Sequence, residues 1–564
     1  MRPRLSEVRA ELRPMFALAL PVVIAELGWM TMGMVDTLMV GPLGAEAIGA
    51  VGLGSAIFIA MGIFGMGMLL GLDTLVSQSF GAGRLDECHR WLVHGVFLGV
   101  VLTIPTTLFL FLVSGRLDRW GMNPDVLRLM RPYLDAVAWS TLPLLVYFAF
   151  RRYLQGLGVV RPVMVTLIVA NLMNVVANWT FIYGKLGMPA LGVAGAAWAT
   201  VLARAVMATS LLIVILRREW NRRPGLRDTA LTIEAARLRR LVALGAPAAG
   251  QLTLEVGVFA MASALAGRML PASLAAHQIA LNLAGFTYMV PLGVASAGAV
   301  RVGQAIGRRD APGAARAGWT ALLFGVVFMS IAAVAFVAIP RPLIGAFTTD
   351  ARVLEIGIAL LAVAAVFQLF DGLQAVGTGV LRGLGETRMP MLWNLAGHWF
   401  IGLPIAYVLA FRFDFGVIGL WWGLSSGLII CGVALLIVWW RRIHAVPPLL
   451  SRRAGGSMPE QTEPPRPHGD PLEAELLNTG KADTREIDSG KRDRQPLDRG
   501  HLDEPNEAQR QSDATNDAAS LAGVEEPTAG TTSDANGIPA SDDREGEARR
   551  KRYDDGAELV SRID

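Results

Sequence analysis

Charge is scarce in this chain of 564 residues: Asp, Glu, Lys and Arg together make up 17%, against 53% apolar residues, and the mean hydropathy is +0.44. So little polarity excludes an ordinary water-soluble enzyme of this size. Cysteine is scarcer still. Cys88 and Cys431 lie in unrelated contexts and make no disulfide framework, and no Cys or His cluster has the spacing of a zinc site. Also missing are a phosphate-binding P-loop, a Gly-x-Ser-x-Gly elbow and a His-Glu-x-x-His helix. An ATP-driven pump would need a nucleotide site on this chain or on a partner, so the missing P-loop argues against one, and no catalytic constellation argues for an enzyme.

What the chain has instead is apolar runs of about 20 residues, each able to cross a hydrocarbon core of roughly 30 Å. Twelve spans are expected, near 15–40, 47–71, 91–113, 133–155, 162–183, 192–216, 241–266, 275–300, 317–339, 354–381, 388–411 and 416–440. The fourth and eighth are the weakest, because Arg151, Arg152 and Arg301 intrude. The first run follows Arg2, Arg4, Arg9 and Arg13 but is too long for a signal-peptide core, so it reads as a membrane helix. Lys and Arg number about 25 on the side of the N-terminus and the even loops, and about 9 on the other. That asymmetry places both termini in the cytoplasm. It also accounts for the pI near 9.2 without nucleic acid.

The two sets of six spans repeat at an offset of about 226 residues. Pro21 matches Pro247; Gln78 and Gly81 match Gln304 and Gly307; Leu154, Gly156, Leu157 and Gly158 match Leu381, Gly383, Leu384 and Gly385; Gly192, Val193, Gly195 and Trp198 match Gly416, Val417, Gly419 and Trp422. Six is even, so the repeats run the same way through the membrane. The expected fold is all-α: two six-helix bundles related by a pseudo-twofold axis along the membrane normal, an architecture suited to alternating access. The divisions are 1–216, an arginine-rich cytoplasmic linker at 217–240, 241–442, and a tail at 443–564. From 451 onward there are 16 basic and 26 acidic residues, net −10, leaving a net of +14 in residues 1–450. The tail's polar, Pro- and Gly-rich composition predicts disorder.

Among the carboxylates inside the spans, Asp36, Glu255 and Asp371 are the three that matter, and Glu26, in the first span, is a fourth candidate. Each ionised one costs on the order of 2.5–3.5 kcal/mol at the bilayer centre, so it needs a partner, a proton or water. Asp36 has an alternative as a helix-end group reaching the interface. Asn171, Asn174 and Asn178 form one helical stripe; paired with Asp36 they make a candidate Na+ or H+ site, or else they bond helix to helix. Met30, Met32, Met34, Met61, Met66 and Met68 enrich the first two helices with adaptable side chains, although methionines more often serve packing or face lipid; Glu26, Met30, Met34 and Phe367 are the candidate lining of a substrate cavity.

These stretches resemble the multidrug and toxic-compound extrusion (MATE) family and its NorM-like bacterial branch, from about Leu12 to Trp440. The resemblance is carried by GMVDTLMVG at 33–41, NVVANWTFIYGKLG at 174–187, AAHQIALN at 275–282, RVGQAIG at 301–307 and LRG at 381–383. It implies a protein of the bacterial inner membrane, without a cofactor, that exports amphipathic organic cations in exchange for Na+ or H+; twelve spans enclosing their own cavity favour a monomer. It also implies one cation site at Asp36, Asn174 and Asn178 and a second at Glu255 and Asp371. In that branch an aromatic hydroxyl precedes the aspartate by four residues; here Phe367 has none, which leaves Na+ against H+ open. Competing readings are a lipid-linked sugar flippase of similar two-bundle build, and a non-transporting membrane scaffold.

Overall fold

A chain inside lipid must satisfy its backbone hydrogen bonds within each segment, which leaves helices as the solution for long apolar runs. The computed structural model describes residues 5–121, 123–219, 225, 226, 229 and 231–454, and no strand occurs among them. The first half comprises α1 (Leu5–Val40), α2 (Ala45–Met68), α3 (Gly71–Gly81), α4 (Leu85–Ser114), α5 (Pro124–Ala138), α6 (Thr141–Gly156), α7 (Arg161–Tyr183) and α8 (Val193–Glu219). The second comprises α9 (Ala235–Ala266), α10 (Pro271–Gly307), α11 (Ala311–Ala338), α12 (Pro340–Gly345), α13 (Ala351–Leu384), α14 (Arg388–Asn394), a π-helical stretch at Leu395–Gly402, α15 (Leu403–Phe411) and α16 (Gly416–Ala454).

Among the described residues, eleven helical segments are long and apolar enough to cross a membrane, and the pair α5 and α6, bent by 47°, makes a twelfth if taken as one span. The weak fourth span is thus a broken one, and the polar intrusions behind that weakness have partners: Arg151 pairs with Glu26 and Arg152 with Asp73. α1 and α9 begin earlier than expected, at Leu5 and Ala235, with Pro21 and Pro247 inside them. α16 runs past 442 to Ala454. The rest of the tail, 455–564, and part of the 217–240 linker lie outside the described residues.

The halves exchange partners in the manner of a twofold. The first span of the first half, α1, packs on the second span of the other, α10, and reciprocally α2 packs on α9. The matched motifs close the same way: Gly158 and Gly385 end α6 and α13 in the left-handed region, at φ 80° and 93°, where a side chain would be strained. One core gathers around Tyr133, Tyr147, Tyr153 and Leu72 and another around Leu360, Leu361 and Trp421, while a third joins Met15, Leu18 and Val22 of α1 to Val300 and Trp439 of the second half.

Candidate functional site

In the first half, Asp36 is carried on the last turns of α1, four residues before its end at Val40, and is 5% exposed, enclosed by protein. Its Oδ1 accepts from Asn174 Nδ2 at 3.1 Å and Asn178 Nδ2 at 2.7 Å, and its Oδ2 from Thr200 Oγ1 on α8 at 2.6 Å. Three donors converge on one carboxylate, and the amide nitrogens face it, not the oxygens. A small cation binding here requires the amides to turn; Asn178 Oδ1, buried without a hydrogen bond, is the oxygen free to do so. Asn171, the third amide of the stripe, instead bonds the backbone carbonyls of Gly28 and Leu167 at 3.0 and 2.9 Å and so ties α7 to α1.

In the second half, Glu255 on α9 and Asp371 on α13 are 8% and 4% exposed. Glu255 Oε1 accepts from Tyr288 Oη at 2.9 Å and Oε2 from Asn394 Nδ2 at 3.5 Å, with Gln251 and Gln374 beside it. Asp371 makes no hydrogen bond or ion pair among the described residues, and its neighbour in charge is Glu255. Two acids with no ion-pair partner among the described residues ask for a proton or a metal cation. Among the described residues no three of His, Cys, Asp and Glu gather, so a cation here would be completed by neutral oxygens. The π-helical stretch starts just after Asn394, and its His398 meets Gln374 at 3.1 Å; π-bulges often sit at functional sites.

The candidate substrate residues are not gathered in one place. Glu26 is buried and paired with Arg151. Met34 is 51% exposed and lies two residues from Asp36, hence on nearly the opposite side of α1, and Met30 shares that side. Phe367 is buried between Phe259 and Trp421, at ring distances of 6.5 and 5.7 Å, as part of the core. Sequence reading missed Thr200, Tyr288, Asn394 and the π-helical distortion. A polar residue inside each apolar run was the available signal.

At one end of the molecule the halves lock together. Asp73 Oδ2 holds Arg152 of its own half at 3.4 Å and Arg382 of the other at 3.2 Å. Gln78 Nε2 donates to Gly383 O, and Gln304 Nε2 to Gly156 O, each at 3.0 Å. Arg301 reaches Glu11 at 2.5 Å. The repeated Gln and Leu-x-Gly motifs therefore grip each other across the halves.

The sequence profile of the MatE family matches residues 21–180 and 247–408, one block in each half. The chain is 36% identical over 448 residues to a probable multidrug resistance protein NorM of Mesorhizobium japonicum, across 78% of this chain and 96% of that one. It is 30% identical over 431 residues to the multidrug resistance protein NorM of Photobacterium profundum, across 76% and 94%. Among solved structures it is similar to the eukaryotic MATE transporter AtDTX14, with a TM-score of 0.70 at 21% identity over 79% of this chain and 100% of that one. An outward-facing multidrug resistance MATE family transporter has a TM-score of 0.70 at 19% identity over 77% and 96%. At such identities the structural likeness speaks to the fold.

Proposed function

The chain belongs to the MatE family, and from that membership we propose that it is a secondary active multidrug efflux transporter, exporting organic, often cationic, compounds in exchange for Na+ or H+. It is a multi-pass membrane protein; the reading places it in a bacterial inner membrane with both termini cytoplasmic, following the Lys and Arg asymmetry of its loops. The observation that carries the coupling is Glu255 and Asp371, two buried carboxylates in one half with no basic partner among the described residues. Such a pair binds a cation or a proton and releases it when the surroundings change, and the two-bundle design lets those surroundings change by rocking one half on the other. By the same orientation, the interlocked end at Asp73, Gln78 and Gln304 is cytoplasmic, so the conformation described is closed to the cytoplasm. Each charge that falls through 100 mV releases about 2.3 kcal/mol, equivalent to roughly a fiftyfold concentration ratio. No step needs a catalytic residue or a resident cofactor, and one chain with its own two halves serves as a monomer.

The test is uptake of a fluorescent organic cation into liposomes under a Na+ gradient or a pH gradient, each imposed alone. The wild type is expected to respond to one of them, and Glu255→Gln and Asp371→Asn to lose the response. Gradient-independent movement of a lipid-linked probe would favour the flippase, and no flux at all the scaffold.

A further inference from the structure

The interior charges of the two halves are arranged differently. In the first half, Glu26 pairs with Arg151 and Asp73 with Arg152 and Arg382, while Asp36 and Arg204 make no ion pair among the described residues. Arg204 lies on α8 one turn beyond Thr200, the residue whose hydroxyl holds Asp36. It is 7% exposed, its guanidinium sits over Phe58 at 4.4 Å and Trp29 at 5.8 Å, and its Nη1 donates to Ser140 Oγ at 2.5 Å. Its Nε is buried with no hydrogen bond. The interior that Arg204 shares with Asp36 also contains Tyr133. The second half has no equivalent cation beside Glu255 and Asp371 among the described residues.

We propose that Arg204 is the resident counter-cation of Asp36, a specificity-determining residue that holds the first-half site neutral and so sets how strongly that site takes up an external cation. An isolated guanidinium buried this deeply is costly unless a charge answers it. Asp36 is the acid placed to answer, while the aromatic faces of Phe58 and Trp29 hold the guanidinium short of a direct ion pair. A cation arriving at Asp36 must therefore overcome a positive charge already in place. At Glu255 and Asp371 it meets none, which makes the second half the stronger inorganic-cation site and the first half the more discriminating one. The inference rests on reading Asp36 as a cation-responsive site, and it is independent of which ion drives transport.

The experiment is equilibrium binding of tetraphenylphosphonium to the full chain in nanodiscs, without any gradient. Arg204→Met and Arg204→Gln are expected to bind the probe about tenfold tighter than wild type, since a unit positive charge is removed from a low-dielectric site. Arg204→Lys keeps the charge and should bind as wild type does. In an Asp36→Asn background the same Arg204 substitutions should bring no gain. Unchanged or weaker binding by both neutral variants overturns the proposal, as does an equal gain with Asp36 already neutral. Should the neutral variants fold only in the Asp36→Asn background, the charge pairing is upheld; failure to fold in either background makes Arg204 a packing residue. Wild-type affinity in Asp36→Asn alone would instead sink the reading of Asp36 as a cation-responsive site.

Discussion

Thr200 contributes one hydroxyl to Asp36, at 2.6 Å, and both residues are buried. A hydrogen bond to a charged group contributes about 1.5–3 kcal/mol, so Thr200→Val, which keeps the shape and removes the donor, is expected to lower stability by about that much. Thr200→Ser should retain most of it; a thermal unfolding series showing no difference between Val and Ser would refute the role. Glu26 makes a sharper case. Its partner Arg151 is 1% exposed, so Glu26→Gln leaves a buried guanidinium uncompensated, at a cost of about 3–5 kcal/mol. Unfolding in detergent should show the loss, with partial recovery in the Glu26→Gln, Arg151→Gln double variant. Asp36, Glu255 and Asp371 were legible as residues of consequence because a carboxylate in an apolar run always needs an explanation. Their donors were not: Thr200, Tyr288 and Asn394 are ordinary residues in sequence, and distant helices bring them to their carboxylates.

Among the helices, α3 and α10 cross where neither can carry a side chain. A Cβ at Gly81 would lie 2.1 Å from Gln304 O, and one at Gly307 would lie 2.1 Å from Gln78 O. Gly307→Ala must therefore push two backbones apart, and overpacking of this kind costs about 1–3 kcal/mol. Gly33, with nothing within 4 Å of its would-be Cβ, is the control: Gly33→Ala should melt like wild type while Gly307→Ala melts lower. Equal melting of the two would mean that the crossing is looser than described. Helix number and order were readable from apolar length alone. Bends and ends were less so, because the break between α5 and α6 and the π-helical stretch after Asn394 answer to neighbours in space. Arg151 and Arg152 looked like interruptions of a span only because their acids, Glu26 and Asp73, lie on other helices.

At the scale of the molecule, the halves are joined by two equivalent hydrogen bonds, Gln78 to Gly383 and Gln304 to Gly156, around the shared ion cluster at Asp73. Each bond contributes about 1 kcal/mol, so the Gln78→Ala, Gln304→Ala double variant should open this end by roughly thirtyfold more in population. The readout is labelling of Ser77→Cys by a polar maleimide, with Cys88 and Cys431 buried as silent background. Equal contributions from the two single variants would reflect the twofold, and an unchanged labelling rate in the double variant would remove these bonds from the closure. The amino-acid sequence by itself determined that the chain spans a membrane about twelve times, that its halves repeat in parallel, and that three carboxylates demand partners. Those follow from local hydropathy, from periodicity and from the cost of charge in lipid, all properties of single segments. Only the tertiary structure decided which donors meet Asp36, that Glu26 is consumed by Arg151 and Phe367 by the core, that Arg204 shares the interior with Asp36, and that the repeated motifs grip across the halves. Each of those depends on which helices become neighbours, and neighbourhood between segments tens to hundreds of residues apart is written in packing and not in any one run of sequence.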